Sequence, residues 1–123
     1  MAFGALEGLT DLRLDRGADQ KLDFTYIEDA ARGTALLYRA EDPPHRIYNI
    51  ATGIASRVGE VAELARKHSR FAVDVELGPG ELMQRCEALD ITRAKHELGF
   101  EPQVDLEEGV RRYAKWMEGV VGA

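Results

Sequence analysis

A single cysteine, Cys86, among 123 residues has no partner for an internal disulfide, which suits a reducing compartment and reads as an ordinary packed thiol. No apolar run approaches the ~20 residues of a membrane span. The N-terminus has neither the basic start nor the long apolar stretch of a secretory signal, so the expectation is a soluble, cytoplasmic protein. Positive charge is also in deficit. Sixteen Lys and Arg stand against 22 Asp and Glu, for a net charge of −6, which argues against a nucleic-acid groove built on clustered cations. A small anionic ligand, needing only one or two local cations, stays open.

Catalytic and cofactor motifs are missing too. The chain contains no G-x-x-x-x-G-K-[ST] and no G-x-G-x-x-G, whose glycines let backbone N–H groups reach a pyrophosphate at a helix start. The nearest imitation, Gly78-Pro79-Gly80-Glu81-Leu82-Met83, has methionine at the third glycine position and an acid where a phosphate would lie, and it reads as a turn. His45, His68 and His96 lack H-x-x-x-H spacing, so no metal site is expected. The acid pairs Glu28-Asp29 and Glu107-Glu108 fall at helix starts, where acids stabilise the helix dipole. No tyrosine is followed four residues later by lysine: the positions after Tyr26, Tyr38, Tyr48 and Tyr113 hold Ala30, Asp42, Thr52 and Met117.

What is present is globular: 45% hydrophobic and 31% charged residues, with no internal repeat. Phe3, Leu6 and Leu9 give residues 1–9 the look of a helix tail. Leu12-Arg13-Leu14-Asp15 alternates like a strand, and Arg16-Gly17-Ala18-Asp19 reads as a turn. The stretch "LDFTYIEDAARG", Leu22 to Gly33, reads as a strand running into a helix capped by Asp29, with Ala30, Thr34, Leu37 and Tyr38 on one face. Asp42-Pro43-Pro44 ends that helix. A strand is expected over Arg46–Ala51, then a helix capped by Ser56 with Val58, Val61, Ala62 and Ala65 inward. A further strand is expected over Phe71–Leu77. A short helix follows, capped by Asp90 and closed by Gly99. The last helix opens on Asp105 and Glu108 as a capping box and carries the stripe Leu106, Val110, Tyr113 and Met117. Alternating strands and helices predict an α/β fold with mostly parallel pairing.

In this order the motifs "LDFTYIEDAARG", "RIYNIATG", "SRVGEVAELARK", "LGPGE", "DITRAKHELGFEP" and "LEEGVRRYAKW" resemble the C-terminal part of the extended short-chain dehydrogenase/reductase superfamily. More narrowly, they are similar to the NAD-dependent epimerase/dehydratase family, of which UDP-glucose 4-epimerase is typical. The resemblance runs from about Leu12 to Trp116. It implies that residues 1–123 are a single C-terminal substrate-binding portion, lacking most of the Rossmann domain. The G-x-x-G-x-x-G turn for NAD or NADP and the Y-x-x-x-K pair would lie upstream, in an N-terminal dinucleotide-binding domain absent from this chain. It implies a sugar or nucleotide-sugar substrate oxidised by NAD(P) in the intact parent. The chain alone would be inactive, hold no cofactor, and self-associate through surface left by the missing domain.

The family usually opens the first motif with an arginine that grips the substrate diphosphate, and here that position is Leu22. Lys21 beside it points to the opposite face of a strand. A second diphosphate arginine usually opens an Arg-x-Gly-Asp stretch, where this chain has Gly78-Pro79-Gly80-Glu81. The interval from Glu81 to Asp90 is two residues longer than the common pattern, and Arg85 within it can supply a replacement cation. The resemblance thus leaves Arg85, Glu81 and Lys21 as substrate-contact candidates, with no catalytic, cofactor or metal residue in the chain. Two other readings stand beside it. One is a non-catalytic binding or interaction module with this fold. The other is a fragment of a dehydrogenase acting on a non-nucleotide sugar or sugar acid.

Overall fold

The computed structural model describes residues 11–71 and 74–121, so the helix tail expected over 1–9 lies outside the described residues. Strand β1 (Asp11–Leu14) pairs in parallel with β4 (Asp74–Leu77), in the register Asp11 to Asp74 and Leu14 to Leu77. Between them run β2 (Lys21–Leu22), helix α1 (Ile27–Arg39), β3 (Ser56–Arg57) and helix α2 (Val58–His68). β2 and β3 form a separate antiparallel pair, with Lys21 opposite Arg57 and Leu22 opposite Ser56. Helices α3 (Thr92–Leu98) and α4 (Leu106–Val121) complete the chain. The fold is α/β, as expected, but the pairing is divided between one parallel and one antiparallel ladder.

The helices follow their apolar periodicity. α2 turns Ala62 inward while Arg57, Glu60, Glu63, Arg66 and Lys67 stay exposed, and it packs along α4, whose Met117 is buried. At the exposed end of this pair Lys67 Nζ and His68 Nε2 lie 2.5 and 3.0 Å from Glu107 Oε1. Phe100, fully buried, anchors the loop after α3, and Gly99 closes α3 in the left-handed region at φ 67°, where a side chain would be strained.

Several expectations needed correction. Asp29 does not cap α1. The helix begins two residues earlier, and the Asp29 side chain is fully buried, accepting from the backbone N–H of Gln103 at 3.0 Å and Val104 at 3.0 Å. Ser56 does not cap α2, because Gln20 O and Ala18 O already take the leading N–H groups of Val58 and Gly59, at 2.8 and 3.0 Å. Residues 46–51 form no strand. Ile47 is exposed, and Asn49 is exposed and donates to Asp90 O at 3.0 Å. The capping box of α4 is half formed: Glu108 N donates to Asp105 Oδ1 at 2.8 Å, while the Glu108 carboxylate turns to Arg111 and Arg112.

Between residues 24–28, α2 and α4 lies an open apolar groove of about 870 Å³. Phe71 and Val75 reach it from β4 and its approach, and Tyr113 and Trp116 stack nearby with ring centroids 5.9 Å apart.

Candidate functional site

The three candidate residues sit on or beside one loop, residues 78–90, and its mounting comes from three polar residues in a five-residue stretch. Asp19 Oδ2 accepts from Gly80 N at 2.7 Å. The Gln20 amide, 1% exposed, accepts through Oε1 from Leu82 N and Met83 N at 3.1 and 3.0 Å. Its Nε2 donates to Lys21 O and Gln84 O at 3.4 and 3.5 Å. Further along, Asp23 Oδ2 accepts from Leu89 N at 3.3 Å. The loop is thus gripped in sequence order along its length. Burying Gln20 is tolerable because both ends of its amide find partners.

Asp23 also ties this loop to the turn at Thr52. Its Oδ1 accepts from Thr52 N and Thr52 Oγ1 at 2.9 and 2.5 Å, and its Oδ2 from Gly53 N at 2.9 Å. Partial burial pushes the Asp23 carboxyl up. The Thr52 hydroxyl and the N–H groups of Thr52, Gly53 and Leu89 outweigh this together and hold it below its ordinary value.

On this mount Arg85 is exposed, its Nε 3.4 Å from Glu81 Oε1 and 4.0 Å from Glu87 Oε1. The loop brings Arg85 and Glu81 together as an ion pair. Lys21 is exposed on β2, opposite Arg57, and its carbonyl shares the Gln20 amide with the carbonyl of Gln84, next to Arg85. The strand backbone and the loop therefore abut. Arg57, opposite Lys21, lies with Nη1 3.5 Å from Asp19 Oδ1. Leu22 is half-buried, on the side away from Lys21.

Gly78 is constrained by its neighbours. A Cβ added there would lie 1.9 Å from the Asp15 carbonyl oxygen, so this backbone admits no arginine at that position. Nor does the Gly78-Pro79-Gly80 turn fit a dinucleotide. Gly78 N donates to Leu14 O at 2.8 Å, Gly80 N to Asp19, and Pro79 has no N–H. The turn's donors are spent on the chain itself, and no array faces outward for a pyrophosphate. Among the described residues no group of His, Cys, Asp and Glu side chains is arranged to hold a metal, and no helix is long and apolar enough to cross a membrane.

Sequence reasoning missed Asp19, Gln20 and Asp23 as the residues that shape this surface. Their only signal is three amide or carboxylate side chains within Asp19–Asp23, each able to accept from a main-chain N–H.

No family model matches the chain. A putative UDP-glucose 4-epimerase of Methanocaldococcus jannaschii is 31% identical over 103 residues, 81% of this chain and 32% of that protein. The structure of a UDP-glucose 4-epimerase from Thermotoga maritima with UDP-glucose superposes with a TM-score of 0.79 at 26% identity, over 97% of this chain and 38% of that one. A UDP-glucuronic acid 4-epimerase from Bacillus cereus, in complex with UDP-glucuronic acid and NAD, superposes at 0.77 with 21% identity, over 98% of this chain and 40% of that one, a likeness of fold. The chain spans about a third of the length of the curated relatives it matches. It is related to the UDP-sugar 4-epimerases and to the wider extended short-chain dehydrogenases/reductases, and it has the fold of a part of them.

Proposed function

From the likeness of this chain to part of the epimerase-type extended short-chain dehydrogenase/reductase enzymes, we propose that it is the substrate-binding portion of an NAD(P)-dependent enzyme. That enzyme would act on a sugar or nucleotide-sugar, with epimerisation as the favoured reaction. The observation that carries this reading is the superposition on the Thermotoga maritima UDP-glucose 4-epimerase across 97% of the chain. In this reading the loop 78–90 and β2 form one wall of the substrate pocket, with Arg85, Glu81 and Lys21 facing the polar end of the substrate. In this reading the dinucleotide and the proton-transferring tyrosine belong to a domain outside these residues, since the Gly78-Pro79-Gly80 turn is closed to a pyrophosphate. Such a domain, or a second copy of this chain, would cover exposed apolar side chains such as Tyr38, Ile47 and Ile54. A cytoplasmic location accords with the single cysteine.

A second reading, an enzyme whose substrate carries less phosphate charge, is favoured by one observation. The position aligned with a diphosphate arginine, Gly78, is sterically closed to any side chain. The experiment that separates the two is a turnover assay of the full-length gene product with NAD, using UDP-glucose and UDP-glucuronate, with UDP as competitor. Interconversion of either UDP-sugar with micromolar inhibition by UDP supports the first reading. No turnover of either sugar and no inhibition at millimolar UDP overturns it in favour of the second.

A further inference from the structure

β2 and β3 meet in a pairing that elementary electrostatics disfavours. Lys21 and Arg57 are partners in the antiparallel ladder, and partners across such a ladder project their side chains on the same face. Gln20 O accepts from Val58 N at 2.8 Å, which makes Gln20 and Val58 a hydrogen-bonded pair. Lys21 and Arg57 are then the neighbouring pair of the other kind, in which side chains stand closer. Both are exposed, and like charges set directly opposite are destabilising.

Arg57 is misplaced on a second count. It occupies the N-cap of α2 without making a side-chain cap hydrogen bond, although the positive end of a helix dipole disfavours a cation. Acids answer only part of this charge. Asp19 Oδ1 lies 3.5 Å from Arg57 Nη1, its Oδ2 is taken by Gly80 N at 2.7 Å, and Glu60 stands in the first turn of α2. Among the described residues the Lys21 side chain makes no ion pair and no hydrogen bond.

Proteins break local rules of this kind at functional sites and compensate for it elsewhere. We propose that Lys21 and Arg57 form a seat for a phosphate-type oxyanion, borne by free phosphate or by a phosphorylated small molecule. The Lys21 ammonium is a compact charge with three rotatable donors, and the Arg57 guanidinium presents a planar fork. A tetrahedral anion has acceptor oxygens for both at once, whereas a single carboxylate is matched by the fork alone. Bound there, it replaces one repulsion by two attractions. The first N–H groups of α2 take no part, since Val58 N and Gly59 N already donate to Gln20 O and Ala18 O, so the seat is made by side chains. It goes beyond the proposed function: Leu22, where the resemblance places a diphosphate arginine, lies on the side of β2 away from Lys21, and the pair holds an oxyanion whatever reaction the parent enzyme performs.

The test is a titration of the full 123-residue chain with inorganic phosphate and, separately, with UDP, at constant ionic strength, followed by the backbone amide signals in nuclear magnetic resonance. Saturable shifts are expected at Lys21, Leu22 and Arg57. Lys21→Gln and Arg57→Gln should each weaken the affinity about two- to five-fold, the scale of an exposed ion pair. Lys115→Gln, the loss of an exposed cation on α4, should leave it unchanged. Phosphate binding at least as tightly as UDP identifies the free ion as the ligand, and a preference for UDP identifies a phosphorylated small molecule; the seat stands in either case. In phosphate-free buffer of low ionic strength Lys21→Gln should raise Tm by removing the repulsion, and about 1 M salt should abolish that gain by screening. Absence of saturation by either ligand, or a loss in Lys115→Gln equal to that in the pair, would overturn the proposal. So would an unchanged or lower Tm in Lys21→Gln, which would leave no repulsion for an anion to relieve.

Discussion

Asp29 Oδ2 lies 3.0 Å from the backbone nitrogen of Val104, a buried hydrogen bond between residues 75 apart in sequence. Together with the bonds from Gln103 N, it fastens the loop ahead of α4 to the first turns of α1. Arg32, one turn on, pairs with the same carboxylate. The Asp29→Ala variant leaves two N–H groups without an acceptor. At ~1–3 kcal/mol per buried orphan, a loss of about 3 kcal/mol in urea unfolding is expected, and Asp29→Asn, which keeps an acceptor oxygen, should lose clearly less. Equal losses in the two variants would show that charge, and not acceptance, holds the loop.

The Asp23 carboxyl is held below its ordinary value of 3.8 by the donors around it. A depressed folded-state pKa contributes stability that is present above the unfolded value and is lost as pH falls through the folded one. Wild type should therefore exceed Asp23→Asn in stability by a constant margin at neutral pH, and the margin should shrink below about pH 4 as Asp23 takes up its proton. A urea series from pH 7 to pH 2.5 on both proteins checks this. A margin that is flat across the series would remove Asp23 from the acid response.

Glu108 is lowered from 4.5 to about 2, by hydrogen bonds from Arg111 first and Arg112 second. Its contribution is full above the ordinary glutamate value of 4.5, erodes as pH falls below it, and is gone once pH has passed through about 2. Carboxyl chemical shifts followed through an acid titration should show Glu108 protonating near pH 2, well below the ordinary glutamate value of 4.5. Arg111→Gln should raise its midpoint more than Arg112→Gln does.

Gly78 faces the Asp15 carbonyl oxygen so closely that even a methyl group overlaps the main chain. Overpacking of this kind costs typically 1–3 kcal/mol and occasionally more. Gly78→Ala is expected to lower Tm by roughly 10 °C, given ~4–8 °C per kcal/mol for a small domain. Gly78→Arg should do at least as much harm and gain no phosphate affinity. Leu22→Arg, at a half-buried position of β2, is the milder change. Retention of wild-type Tm in Gly78→Ala would mean the loop relaxes away from Asp15.

Helices α2 and α4 were legible in the sequence because their apolar residues recur at helical spacing and pack against each other; α1 was legible as a helix but not by its face, since Thr34 and Tyr38 are exposed and Asp29 and Gly33 are the buried positions. Gly99 and the Asp105 cap were legible because their chemistry is local. Asp90 was one residue off: Ile91 is the N-cap of α3, and Asp90 accepts from Thr92 N at 2.9 Å just ahead of it. The role of Asp29 was not, since its partners lie at the far end of the chain and a helix-start acid looks the same with or without them. Arg46–Ala51 reads as a strand by composition, yet its groups are engaged elsewhere: the Tyr48 hydroxyl accepts from His45 N at 3.2 Å and donates to Glu97 at 3.3 Å, and Asn49 bonds to Asp90 O. The candidate surface was half legible. Glu81 and Arg85 pair on one loop, but the polar clamp that mounts it has no periodicity by which to be found.

That clamp holds the loop only by its main chain. Asp19, Gln20 and Asp23 take the N–H groups of Gly80, Leu82, Met83 and Leu89, while the side chains of Leu82, Met83 and Leu89 remain exposed. Position and identity are thereby decoupled: the path of the loop is written in residues 19–23, and what the loop displays is written in residues 81–89. Exchanging the displayed side chains leaves the fastening untouched, so the surface chemistry of the loop is free to drift without repacking the molecule.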